Sequence, residues 1–216
     1  MTTKRQPHKC PDWSDDSKER EKAAFRVASK QVYRLVESSA SHQLLTQEAV
    51  RSWHRLLFKD IVPLDYYAGN FRQVSSERPC LNGYAEIAGR FGSPPHLVTK
   101  HMQTLVLGLR AHVASLELHW EDKPAPDRAL FLAQIIGWLV GNYIRIHPFM
   151  NGNGRTSRLL WAWGLLRFEL PAQCRIGLRP NPPYSELMEA AMKGDDTPLQ
   201  LYILRNMAEV PRKAAK

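Results

Sequence analysis

Cysteine is scarce in this chain. Its three residues, Cys10, Cys80 and Cys174, lie far apart, and no CxxC pair occurs. An odd, dispersed set argues against a disulfide scaffold and against a zinc site, and it fits a reducing compartment. Long apolar sequence is lacking too. No uninterrupted run of about 18 apolar residues is present, so no membrane span is expected. The opening stretch MTTKRQPHKCPDWSDD has no apolar h-region, so it does not read as a secretory signal. The cytoplasm is therefore the expected location, with export by a signal-less route left open. Internal repeats and low-complexity segments are also missing.

What is present is ordinary globular material. The 216 residues are 44% hydrophobic and 24% charged, which excludes a disordered or fibrous chain and suits one domain with short arms. The formal net charge is +9. A basic chain points to an anionic partner without choosing among nucleic acid, nucleotide and acidic surface. Its distribution is more informative. Residues 1–30 carry 8 Lys/Arg against 5 Asp/Glu, and residues 205–216 carry 4 against 1. Both ends read as solvated tails. Between them, residues 141–180 hold Arg145, Arg155, Arg158, Arg167, Arg175 and Arg179 against Glu169 alone, so the body has one positive centre.

The periodicity is helical. Residues 17–39 follow the start residues Asp15, Asp16 and Ser17 and repeat apolar side chains at three and four. Residues 46–58 start at a threonine. Residues 94–116 follow Ser93-Pro94-Pro95, a cap with proline in the first turn, and Asn181-Pro182 and Thr197-Pro198 are two more such starts. Residues 129–146 are apolar all round, the mark of a helix at the centre of a bundle. Residues 153–168 form a second apolar helix, closed by Pro171. The stretch 69–93 is weakly helical and glycine-punctuated. Asn82-Gly83 signals a turn there, so a loop or short hairpin is expected outside the bundle.

Chemistry concentrates in the run Ile146-His147-Pro148-Phe149-Met150-Asn151-Gly152-Asn153-Gly154-Arg155-Thr156-Ser157-Arg158. His147 ends the buried helix and Pro148 stops it, which suits a general base held on a rigid element. Phe149 is the expected anchor of the loop to the core. Gly152-Asn153-Gly154 frees the backbone to turn successive N–H groups toward one point, at a helix N-terminus whose dipole favours an anion. Arg155 and Arg158, three residues apart, add two guanidinium forks.

The run resembles the Fic family motif, HPFx(D/E)GNGRxxR, at His147, Pro148, Phe149, Gly152, Asn153, Gly154, Arg155 and Arg158. Ala68-Gly69-Asn70-Phe71-Arg72 is similar to the family's AGxxR segment, 78–93 to its flap hairpin, and 184–204 to its closing helices. The resemblance implies an all-α helical bundle around a buried central helix, with a small β-hairpin flap. Its implied organisation is an N-terminal arm and helix (1–44), a Fic domain (45–205) and a basic tail (206–216).

The resemblance further implies a protein adenylyltransferase that moves AMP from ATP to a Ser, Thr or Tyr hydroxyl of a target protein. His147 would be the base. The GNG backbone and the Asn153 side chain would hold the α- and β-phosphates. Arg155 would neutralise the pyrophosphate and Arg158 would reach the γ-phosphate. Tyr184 is a candidate neighbour of the adenine, with ordinary packing equally open.

Two departures from the pattern matter. Asn151 stands where the family has Asp or Glu as the Mg²⁺ ligand, and offers only a neutral carbonyl oxygen. As a magnesium ligand, Asn151→Asp would tighten the Mg²⁺ dependence. The inhibitory signature (S/T)xxxE(G/N) does not occur, with near misses at Ser17…Glu21 and Ser185…Glu189. The enzyme would then be unrestrained, or blocked by a separate antitoxin-like protein. Alternatives are a Doc-like kinase, disfavoured because Gly154 stands where that branch has Lys; another phosphate-diester transfer, including AMP removal; and an inactive interaction module. Nucleic-acid binding through the tails lacks a supporting motif.

Overall fold

The helical periodicity becomes seven α-helices among the described residues of the computed structural model, which are 10–13, 19–87, 89–172 and 183–208. The sequence starts at Asp15, Asp16, Ser17 and Asn181-Pro182, Cys174, Arg175, Arg179 and most of both tails lie outside them.

Helix α1 is Glu19–Ser39 and α2 is Gln47–Phe58. Thr46 caps α2, its hydroxyl accepting from the Ala49 N–H at 3.0 Å. Helix α3 is Val98–Leu118, but Ser93 does not cap it. A 3-10 turn, Pro95–Leu97, intervenes, and the Ser93 hydroxyl instead meets His101 Nδ1 at 2.7 Å. Helix α4, Ala125–Ile146, starts four residues earlier than the apolar run, with Pro126 in its first turn. Helix α5 is Asn153–Arg167, α6 is Tyr184–Met192 and α7 is Thr197–Ala208. The Asp195 carboxylate accepts from the Thr197 N–H at the start of α7.

The expected hairpin exists but is smaller and shifted. Strands β1 (Glu86–Ile87) and β2 (Arg90–Phe91) pair antiparallel. The reversal falls at Gly89, with φ +73°, and not at Asn82-Gly83. Those two residues follow a 3-10 turn, Pro79–Leu81, that the pattern did not show.

Helix α4 is the axis of the bundle, packing against α3, α5, α6 and α7. It is long and apolar enough to cross a membrane by length and composition, and 56% of its most apolar window is buried in the fold. Leu132, Ile136, Leu139, Val140, Tyr143 and Ile144 are buried in one core with Leu159, Leu160 and Trp163 of α5. Phe25, Val32 and Val36 of α1 join that core.

One correction concerns cysteine. Cys10 and Cys80 form a disulfide, with Cα atoms 5.5 Å apart. Sequence spacing did not reveal it because 70 residues separate the two. Cys10 and Cys80 are thus paired, where the sequence pattern pointed to free, reduced thiols.

Helices α4 and α5 approach closely at Gly164, where a Cβ would lie 2.6 Å from Ile136 Cγ1. Gly164→Leu is expected to cost about 1–3 kcal/mol by overpacking. Thermal melting should show a Tm lower by several degrees, and an unchanged Tm would contradict this packing.

Candidate functional site

The site is built on the end of α4. His147 closes that helix in the left-handed region, φ 50° and ψ 62°, its N–H still bonded to the Tyr143 carbonyl. Pro148 removes the next donor and ends the helix. The chain then turns through Phe149, Met150 and Asn151 to Gly152, whose φ is +78°. A side chain at Gly152 would collide with the Phe58 ring at 2.4 Å, so glycine is required there twice, by conformation and by space.

Phe149 is fully buried and stacks on His54 with centroids 3.6 Å apart, and it meets Phe71 at 5.1 Å. Asn153 is also buried, and its amide closes the loop on itself. Its Oδ1 accepts from the Phe149 N–H at 3.0 Å and its Nδ2 donates to the Phe149 carbonyl at 2.8 Å. The structure therefore engages the Asn153 side chain in bracing the loop, in place of the expected phosphate contact. What the loop leaves without a partner is backbone. The Asn153 and Gly154 N–H groups have no acceptor among the described residues, and no atom lies within 4 Å of a Cβ placed at Gly154. These are leading donors of a 15-residue helix, where the dipole favours an anion.

Arg155 and Arg158 are both buried at 5% exposure. The Arg155 guanidinium lies 4.4 Å from the Phe25 ring centroid and 5.8 Å from Phe58. The Arg158 guanidinium lies 5.5 Å from the Tyr184 ring. A cation over an aromatic face is attracted by the ring and held in orientation. Tyr184 is itself buried, with its hydroxyl 2.9 Å from Ser157 Oγ. It packs beside the arginine as a wall. The wider positive centre dissolves. Arg145 forms a bidentate pair with Asp196 at 2.7 and 2.9 Å, and Arg167 donates to Glu117 at the far end of α5.

Two residues of the site were missed or undervalued in the sequence. Arg72 is fully buried, and its guanidinium donates to four carbonyls: Ile146 at 3.0 Å, His147 at 2.7 Å, Gly83 at 3.0 Å and Ser93 at 2.8 Å. Its own N–H donates to Pro148 at 2.7 Å. Burial lowers its pKa to about 10, which leaves it charged at neutral pH. His54 is fully buried on α2, and only its partners mark it. Its Nδ1 accepts from the Gly69 N–H at 2.9 Å, so Nε2 carries the proton and donates to the Asn151 carbonyl at 3.0 Å. A lone histidine in an amphipathic helix gives no sequence signal of such a role.

His147 is partly exposed, with a buried Nδ1 that closes no hydrogen bond of standard geometry. Burial first, and the Arg72 charge second, lower its pKa to about 4, against the opposing pull of the Ile144 carbonyl. The ring is neutral at physiological pH and available as a base.

Asn151 does not fit a magnesium ligand. Its Oδ1 accepts from the Gly152 N–H at 2.6 Å, and its Nδ2 donates to the Trp13 carbonyl at 2.9 Å. Among the described residues no group of three or more His, Cys, Asp or Glu could hold a metal ion.

His54 has its pKa lowered to about 3 by burial, with the Asn151 hydrogen bond opposing. The unfolded chain therefore binds a proton below about pH 6.5 that the folded chain refuses. Stability from this residue is complete above that pH and falls as pH drops toward 3, with a slope approaching about 1.4 kcal/mol per pH unit. Urea unfolding of wild type and His54→Gln between pH 7 and 4 checks it. The wild-type curve should fall more steeply, and parallel curves would contradict a neutral buried His54.

The Fic/DOC family model matches residues 44–165. A Fic-domain-containing signaling protein from Bacteroides thetaiotaomicron superposes with a TM-score of 0.58 at 18% identity, covering 90% of this chain and 73% of that one. The N-terminal Fic domain of Bep8, a VirB-translocated effector from Bartonella sp. 1-1C, gives 0.58 at 13% identity, covering 92% and 90%. BepC from Bartonella tribocorum, with bound AMPPNP, gives 0.52 at 13%, covering 84% and 85%. These likenesses show the fold. With the family model spanning more than half of the sequence, the chain belongs to the Fic/DOC family.

Proposed function

We propose that the chain is a protein adenylyltransferase, moving AMP from ATP to a Ser, Thr or Tyr hydroxyl of a target protein. The observation that carries this reading is one tight loop holding a neutral imidazole at the end of α4 and, at the start of α5, backbone N–H groups of Asn153 and Gly154 with no acceptor among the described residues. The first suits proton abstraction and the second suits phosphate. Support for the nucleotide comes from the AMPPNP in BepC, a relative in fold.

In the proposed reaction the target hydroxyl oxygen attacks the α-phosphorus. The new O–P bond forms as the bond to the β-phosphate oxygen breaks, and pyrophosphate leaves. His147 Nε2 takes the hydroxyl proton. The Asn153 and Gly154 N–H groups and the Arg155 and Arg158 guanidiniums would meet the phosphate charge, preorganised by the buried loop. Any magnesium would arrive on the phosphates of the nucleotide, because the loop offers no carboxylate. The target protein and a separate antitoxin-like inhibitor are parts of the same proposal.

Incubation with α-labelled ATP and a cell lysate should label a protein band, and His147→Ala should weaken it by about 10²–10⁴-fold. Label from γ-labelled ATP alone would point to the kinase reading, and equal behaviour of wild type and His147→Ala would leave only an interaction module. The acid limb of kcat/KM should fall near pH 4, where His147 protonates, and not near pH 6.5.

A further inference from the structure

Trp13 lies 134 residues from His147 in the sequence yet touches the signature loop. Its ring stacks on Tyr67 at 5.9 Å and meets Phe58 edge-on at 5.3 Å and His54 at 6.0 Å. Phe58 and His54 are the two side chains that shape the loop from below, one filling the space beside Gly152 and the other stacking on Phe149. The Trp13 carbonyl accepts from Asn151 Nδ2. Met150 packs with Trp13 against a small separate cluster of Tyr67, Cys80 and Leu81. Three residues before Trp13, Cys10 is covalently bonded to Cys80 in that same cluster.

These contacts explain the residue at 151. A carboxylate there would place an acceptor against the Trp13 carbonyl, with no proton between them. An amide donates to that carbonyl with one end while its oxygen holds the Gly152 N–H with the other.

We propose that Trp13 is a positioning residue for the signature loop, locked in place by the Cys10–Cys80 disulfide, and that Asn151 is the loop's contact to it and not a metal ligand. The loop is then clamped from two sides. His54 holds the Asn151 backbone from α2, and Trp13 holds its side chain from the N-terminal segment. The role as a positioner for phosphate transfer rests on the function proposed above. The clamp itself does not, because it is a statement about loop order.

The test uses the full chain, with the disulfide first verified by mass after alkylation without reduction. Hydrogen exchange is followed in the peptide spanning 147–154, with α4 as internal reference, in Cys10→Ser, Trp13→Ala, Trp13→Phe and Asn151→Asp. Affinity for AMPPNP is measured on the same samples. Cys10→Ser, Trp13→Ala and Asn151→Asp should each speed loop exchange several-fold relative to α4 and weaken AMPPNP binding. Trp13→Phe, which keeps an aromatic ring in the seat, should stay near wild type. Trp13→Ala removes the ring contacts and keeps the backbone carbonyl that Asn151 binds, so Asn151→Asp in that background should loosen the loop further. If Cys10→Ser lowers the stability of the whole chain, Trp13→Ala with the disulfide intact still decides the question.

Loop exchange unchanged in Trp13→Ala would overturn the proposal. So would an Asn151→Asp variant with a quieter loop and a sharper Mg²⁺ dependence, which is what a metal ligand predicts. Failure of the adenylyltransferase reading looks different: the loop responds as described, but no variant or wild type transfers label from α-labelled ATP.

Discussion

A single buried guanidinium holds the site together. Arg72 joins the last turn of α4, the loop and both sides of the flap by donating to the carbonyls of Ile146, His147, Gly83 and Ser93. Each of those carbonyls ends a segment that has run out of regular partners, two at a helix C-terminus and two in irregular chain around the hairpin. Burying a charge is costly unless it is fully hydrogen-bonded, and here four acceptors meet that need. The same charge helps set the chemistry. Burial does most to keep the His147 ring neutral and the Arg72 charge adds to it, so the residue that ties down the His147 backbone also opposes protonation of its ring. Geometry and pKa are thus not independent properties of this site.

That arrangement needs a stiff support, which α4 provides. A helix apolar on every side has nowhere to go except the centre of a bundle, and α3, α5, α6 and α7 enclose it. Small residues set how closely they come. Gly141 leaves room for the Asp196 carboxylate, which binds Arg145 and so pins the start of α7 to α4. Gly164 lets α5 approach Ile136. The loop between α4 and α5 inherits its precision from this contact, since both of its ends are fixed by close packing.

The parts of this molecule that were legible in sequence are those written in local pattern. The helices α2, α4 and α5 followed from periodicity, caps and proline, and the signature loop from glycine, histidine and arginine at fixed spacing. What could not be read was decided by distant partners. Cys10 finds Cys80 across 70 residues. His54 becomes a loop support only because Gly69 and Asn151 are brought to its two nitrogens. Ser93 had the look of a helix cap, yet its hydroxyl is taken by His101 and the helix begins later. Asn153 had the residue type of a phosphate ligand, but both ends of its amide are used within the loop. In each case a polar side chain offered several local roles, and tertiary structure supplied the partner that chose one.

Charge shows the same principle. The net +9 suggested a broad anionic partner, and the six arginines of 141–180 suggested a focused one. The described arginines of that stretch serve different ends. A cation contributes to a binding field to the extent that no nearby anion cancels it, and Arg145 and Arg167 are cancelled by Asp196 and Glu117. Those pairs serve the bundle, one tying α7 to α4 and the other tying α5 to α3. Arg155 and Arg158 also lie over aromatic faces, Phe25 and Phe58 for the first and Tyr184 for the second. An aromatic face steadies a cation without neutralising it, and a buried one does so where the dielectric is low. At the start of α5 two arginines are thus held in fixed orientation by aromatic rings beside a helix end, where the dipole favours an anion.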